Sequence, residues 1–186
     1  IAFFAPEVSS WKRNIVLNGI VRGTISDLVG RNVIIEAGKN TLLNGDISLT
    51  GLPDIEKTFI DFKANDFRTT YTDVVSFIPA VRKISTPYLH QLQYVHFKGS
   101  FTGFIRDFVT FGTIQTRLGT VKSDLNMKLP AGLSPLYSGT ISTENFQLGA
   151  LLNDTTLGAV ALNGSVKGKG FNARERQVNM DGNIRY

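Results

Sequence analysis

The chain contains no cysteine in 186 residues, so it has neither a disulfide nor a thiolate metal site, and cysteine usage leaves its redox compartment open. Histidine is nearly absent too: His90 and His96 are the only two, and no His-Glu-x-x-His spacing accompanies them. No metal site or other cofactor is expected on that basis. The longest apolar run, VVSFIPAV at 74–81, is far below the ~20 residues a membrane-spanning helix needs. There is no Gly-x-Ser-x-Gly elbow and no Ser/His/Asp set. GKNT at 38–41 lacks the earlier spaced glycine of a phosphate loop. The residues give no support for an enzyme.

Charge is present but not concentrated. Lys and Arg number 20 against 15 Asp and Glu, a net charge of +5, spread along the chain. The densest basic stretch, VKGKGFNARERQ at 166–177, is diluted by Glu175. A nucleic-acid partner would call for a basic stripe, so none is expected. The chain opens at Ile1 and closes inside a strand-like alternation, so it reads as an internal piece of a longer polypeptide, expected to be monomeric by itself.

What is abundant points to β structure. The chain has 13 Phe and 18 Gly among many Thr, Val and Ile, which suits pleated strands with frequent turns. Self-comparison is more informative still. LNGIVRG at 17–23, FKGSFTG at 97–103 and LNGSVKG at 162–168 share one template: apolar, polar, Gly, any residue, apolar, polar, Gly. The first two extend without a gap into GTISDL at 23–28 and GFIRDF at 103–108, and FAPEV at 4–8 resembles FIPAV at 77–81. The units are read as 1–10, the end of a preceding helical segment; 11–92, unit one; 93–155, unit two; and 156–186, the start of a third.

A period of two then sorts the side chains into faces. Over 13–25, Ile15, Leu17, Val21 and Ile25 share a face with Gly19 and Gly23. Over 93–105, Val95, Phe97, Phe101 and Ile105 do so with Gly99 and Gly103. Val121, Leu125, Met127 and Leu129 line 121–129, while Val178, Met180 and Ile184 line 178–186. Further strands are expected near 32–37, 41–50, 57–65, 111–118, 137–143 and 156–168. The short spacing implies an antiparallel meander, because parallel pairing needs long crossovers. Residues 72–92 carry near-helical apolar spacing with Pro79 and Pro87 inside, predicting short kinked helices, and 145–154 reads as a reduced version. Asp27 and Asp107 recur at equivalent places and suit turns or edge protection better than catalysis.

Taken together, FAPEV, LNGIVRGTISDL, NGDISLTGLPD and FIPAV resemble the TamB-like (translocation and assembly module) branch of the AsmA-like superfamily, of the Bacteroidota type, over nearly the whole chain. NFQLGALLND at 145–154 departs from that pattern in lacking the Phe-x-Pro core. The resemblance implies a periplasmic protein anchored in the inner membrane by a helix outside this sequence and reaching the outer membrane. It also implies an elongated curled antiparallel sheet, the β-taco, whose apolar groove conducts phospholipid acyl chains. An Omp85-type outer-membrane barrel is the implied partner, engaged by other parts of the parent protein. The apolar residues named above are then the expected groove lining. Gly19, Gly23, Gly99, Gly103, Gly164 and Gly168 are expected to bend its wall. Read from the residues alone, closure of the apolar face into a sandwich or barrel stands as an equal alternative to the groove. Two other functions stay open beside lipid conduction: an edge-strand scaffold for outer-membrane protein assembly and a purely structural β-repeat.

Overall fold

Each alternating segment has one face that avoids water, and short turns allow each strand to pair only with its sequence neighbours. The computed structural model describes residues 15–77, 79–85, 87–170 and 177–185. The expected helical end at 1–10 lies outside the described residues. Ten antiparallel strands form one sheet in unbroken chain order. They are β1 (Ile15–Thr24), β2 (Asp27–Ala37), β3 (Thr41–Thr50), β4 (Phe59–Thr70), β5 (Tyr94–Phe104), β6 (Asp107–Thr116), β7 (Gly119–Lys128), β8 (Leu136–Gln147), β9 (Ala159–Lys169) and β10 (Gln177–Arg185). The three copies of the glycine template fall on β1, β5 and β9, four strands apart.

The meander is as expected, but the curvature is not. β1 and β10 are the two edges and do not pair with each other. The sheet is neither closed nor strongly curled. The curled groove is therefore corrected to an open sheet, and the closed sandwich or barrel is likewise not formed. At a spacing of ~4.8 Å per strand, the sheet is about 43 Å long across its strands.

Four strands run further than their alternation suggested; β6 does so without a bulge, by starting at Asp107, and β2, β4 and β8 each contain one. In β2 the pairing skips between Gly30 and Val33, where Asn32 takes φ 49° and donates its backbone N–H to Asp46 Oδ1 at 2.8 Å. In β4 it skips between Ala64 and Phe67, and in β8 between Thr143 and Phe146. An extra residue reverses the inside/outside phase, so a strict period of two ends at the bulge although the strand does not.

Both described α-helices and two of the three described 3₁₀ turns lie at one end of the sheet. α1 (Tyr71–Phe77) follows β4, Pro79 opens a 3₁₀ turn (Pro79–Lys83), and Pro87 precedes another (Leu89–Leu92). Proline has no N–H to continue a helix, hence the breaks at both prolines. α2 (Leu148–Leu152) occupies the corresponding place after β8. Beneath it Leu118, Phe146 and Val160 are buried together, with Leu92, Leu148 and Leu151 packed around them. At α1, Thr70 Oγ1 accepts from the Asp73 N–H at 3.2 Å, and the buried Asp73 carboxylate reaches back to the β2–β3 turn. It accepts from Asn40 N at 2.6 Å, Lys39 N at 3.1 Å and Thr41 Oγ1 at 3.1 Å.

The opposite end consists of turns, one of them holding the 3₁₀ helix Ile55–Lys57. Asp27 and Asp107 each begin a strand directly after a two-residue turn, as their recurrence suggested. Asp107 pairs with Lys128 at 3.1 Å, and Asp27 accepts from Thr50 Oγ1 at 3.4 Å.

The β4 bulge also places an acidic group that responds to pH. Burial pushes Asp66 up, but hydrogen bonds from Arg68 and His96 outweigh it and hold the carboxyl below its ordinary value. The two partners lie 2.6 Å from it. A carboxylate with a depressed folded-state value stabilises the fold above its unfolded value of about 4, and that stability is lost as pH falls through the folded value. Asp66→Asn is therefore expected to lower stability at neutral pH and to flatten the acid limb below about pH 4. Urea titrations of both proteins between neutral and acid pH measure this. Parallel acid limbs would refute the assignment.

Candidate functional site

Register assigns every strand residue to one of two faces, and the faces differ in kind. Starting from Leu17, the cross-strand neighbours run Ile35, Leu43, Phe67, Phe97, Ile114 and Val121, and the same face continues from β8 to β10 as Thr143, Leu162 and Ile184. Starting from Val21 they run Gly30, Ile47, Phe62, Phe101, Thr110, Leu125, Gly139, Val166 and Met180. Between these two rows lies a row of mostly small residues that includes Gly45, Ala64, Gly99, Gly112, Ser123, Gly164 and Gly182. Among the described residues, no Asp, Glu, Lys, Arg or His occupies this face in any of the ten strands.

Its few hydroxyls are largely satisfied near the helical end. Thr41 and Thr69 bond each other at 2.8 Å, Thr116 donates to the Gly119 carbonyl at 3.2 Å, and Thr143 donates to the Thr120 carbonyl at 2.7 Å. Phe101 and Phe108 stack with ring centroids 4.7 Å apart, giving the centre of the face an aromatic floor.

The structure brings the expected lining together along this face. Ile15, Leu17 and Val21 lie on β1, Val95, Phe97 and Phe101 on β5, Val121, Leu125 and Met127 on β7, and Val178, Met180 and Ile184 on β10. The central ones are half-buried, whereas Leu17 and Met180 at the two edges are 51% and 45% exposed. Ile25, Ile105 and Leu129 are corrections. They stand just past the ends of β1, β5 and β7, in connections, because the hairpin turns begin one residue earlier than the alternation implied.

The glycines are corrected in role rather than in place. Gly19, Gly23, Gly99, Gly103, Gly164 and Gly168 do lie on the apolar face, but the sheet is not strongly curled there, so they do not mark a sharp bend. They permit close approach. Gly99 and Gly103 take φ of 158° and 133°. A Cβ on Gly99 would overlap the Phe111 carbonyl and stand 2.7 Å from Gly112 Cα, and one on Gly103 would stand 2.8 Å from Phe108 Cα. Gly168 differs, since the Tyr137 ring covers the place its Cβ would take.

The opposite face carries the charges. Arg31 and Asp46 are 3.6 Å apart, and the Arg68, Asp66 and His96 cluster lies on the same side. The main surface depressions are here too. One of about 440 Å³ is lined by Arg31, Asp46, Asp61, Lys63, Ser100 and Phe111, open to solvent and mixed in charge. Alternation had not indicated that β1 and β2 are apolar on this side as well, through Val16, Ile20, Val29 and Ile34. Consecutive apolar pairs such as Val16-Leu17 and Ile20-Val21 were the available signal.

Among the described residues no group of His, Asp and Glu is arranged to hold a metal ion, and no helix is long and apolar enough to cross a membrane. No protein-family model, curated protein or solved structure matches the chain.

Proposed function

We propose that this chain is a segment of a bridge-like lipid transport protein whose apolar sheet face carries phospholipid acyl chains between the inner and outer membranes. One observation carries the reading: a face of ten strands without a charged side chain, over which no second sheet lies among the described residues. An apolar face of this extent, half-buried at its centre and exposed along β1 and β10, needs a partner. Acyl chains need no directional contacts, and this face offers none. In the same proposal this open sheet is one wall and further repeats of the parent protein complete the β-taco groove; the periplasmic location and the TamB-like membership belong to it too. Engagement of an Omp85-type barrel falls to other parts of the parent protein. No step of this function calls for a catalytic residue.

A photo-crosslinking residue at Phe101 or Leu125 is expected to form phospholipid adducts in cells, and one at Lys98, on the other face, is not. Adducts from Lys98 alone would overturn the reading. A second reading, a scaffold for outer-membrane protein strands, is favoured by the open backbone edges of β1 and β10. Protein adducts concentrated at position 18 or 183, with no lipid at Leu125, would select it instead.

A further inference from the structure

The turn end of the sheet is apolar where turns are ordinarily polar. Four connections are described there, at 25–26, 51–58, 105–106 and 129–135, and each contains a large aliphatic residue. Ile25 is 44% exposed, Ile105 39% and Leu133 72%, while Leu52 is half-buried. Just behind these tips, on the polar face, Phe59 and Phe104 stand edge to face at 5.5 Å and are 40% and 41% exposed. Turn residues contribute nothing to the sheet's faces, so the pattern is not a by-product of strand alternation. The tight turns of the other end differ, with Gly38-Lys39-Asn40 in one and the buried Leu118 in another, and an exposed aliphatic residue there, Ile84 at 44%, lies in the longer helical connection.

Within the four described connections the charged side chains pair locally. Arg106 meets Glu56 at 2.8 Å, Lys57 meets Asp54 at 3.0 Å, and Lys128 meets Asp107 at 3.1 Å. Such pairs leave little net field at these four connections to draw a strongly charged partner. The aliphatic side chains come from four separate connections, whereas a folded partner needs one contiguous, closely packed patch. A fluid interface can take up separate side chains one at a time, with Phe and Leu at the level of the acyl boundary.

We propose that the turn end of this sheet inserts into the interface of a lipid bilayer, with Ile25, Ile105 and Leu133 as the inserted tips. The inference is independent of acyl-chain carriage on the sheet face, which involves other residues. The absence of cysteine makes the test clean. Single Leu133→Cys, Ile105→Cys and Lys39→Cys variants of the whole chain, each labelled with an environment-sensitive fluorophore, are mixed with phosphatidylcholine vesicles. A blue shift with several-fold brightening is expected at 133 and 105 and no change at 39. The Ile25→Ser/Ile105→Ser/Leu133→Ser variant is expected to lose about a hundredfold in vesicle partition, and Leu133→Ser alone about tenfold. Because Leu133 is largely in water, the single variant separates binding from folding. Equal shifts at 39 and 133 would mean that the sheet lies flat on the bilayer and would overturn the proposal. So would absence of partition, or serine variants that bind like the parent. Lipid co-purifying with the sheet face while the 133 label stays unmoved would uphold the transport reading and sink this one.

Discussion

Gly99→Val/Gly103→Val is expected to lose more than about 4 kcal/mol of stability, enough to unfold much of the protein at ambient temperature. The cause is backbone rather than cavity. At φ of 158° and 133° a β-branched residue is strained, by roughly 1–3 kcal/mol per position. In addition, its Cβ would press on β6 main chain, which cannot rotate away as a side chain could. Shifting β6 would disturb its ladder with β7, so the cost does not stay local. Gly158→Ala is the control, because nothing lies within 4 Å of its added Cβ. It is expected to change stability by less than about 1 kcal/mol. Urea midpoints of the two variants against the parent decide the matter. A folded double-Val protein with an unchanged midpoint would mean that the close approach at Gly99 and Gly103 is wrong.

Asp73→Ala should cost about 3 kcal/mol, since a buried carboxylate that accepts several hydrogen bonds leaves its donors unpaired when removed. Those donors are the Lys39 and Asn40 N–H groups and the Thr41 hydroxyl, and Asp73 itself is 1% exposed. Asp73→Asn preserves the shape but turns an amide donor toward some of the same N–H groups, so a loss of about 2 kcal/mol is expected. The loss should be localised. Hydrogen exchange at Lys39, Asn40 and the α1 amides is expected to accelerate before that at β6 and β7, which have no contact with Asp73 through these bonds. Uniform acceleration throughout the sheet would show that Asp73 holds the whole fold rather than the junction of α1 with the β2–β3 turn.

Asp73 also shows what a motif reading can miss. Thr70-x-x-Asp73 fits a capping-box pattern at the start of α1, which apolar spacing and the prolines did not single out. Nothing local, however, indicated that the same carboxylate would cross to a turn 33 residues earlier. The candidate face has a similar history. Leu17, Phe97, Phe101, Leu125 and Met180 were legible as one-sided within their own strands, because side-chain direction in a strand follows residue parity alone. That they line up from strand to strand depends on register, and register is shifted by bulges at Asn32, Asp66 and Glu144. Each bulge conceals the strand beyond it, which is why Leu28, Phe67 and Phe146 escaped the alternation.

By itself the sequence determined the mainly β, antiparallel class, the meander order, the helical interruptions at Pro79 and Pro87, and the side of β5, β7 and β10 that avoids water. These follow from local rules: period, turn chemistry and the missing N–H of proline. Only the tertiary structure decided that the sheet stays open, that the paired glycines serve close strand approach, and that the turn tips carry exposed aliphatic residues. Curvature and closure are sums of small twists over ten strands, and inter-strand distance depends on what the facing backbone does. Neither quantity is encoded in any one segment, so both become visible only once all the strands are paired.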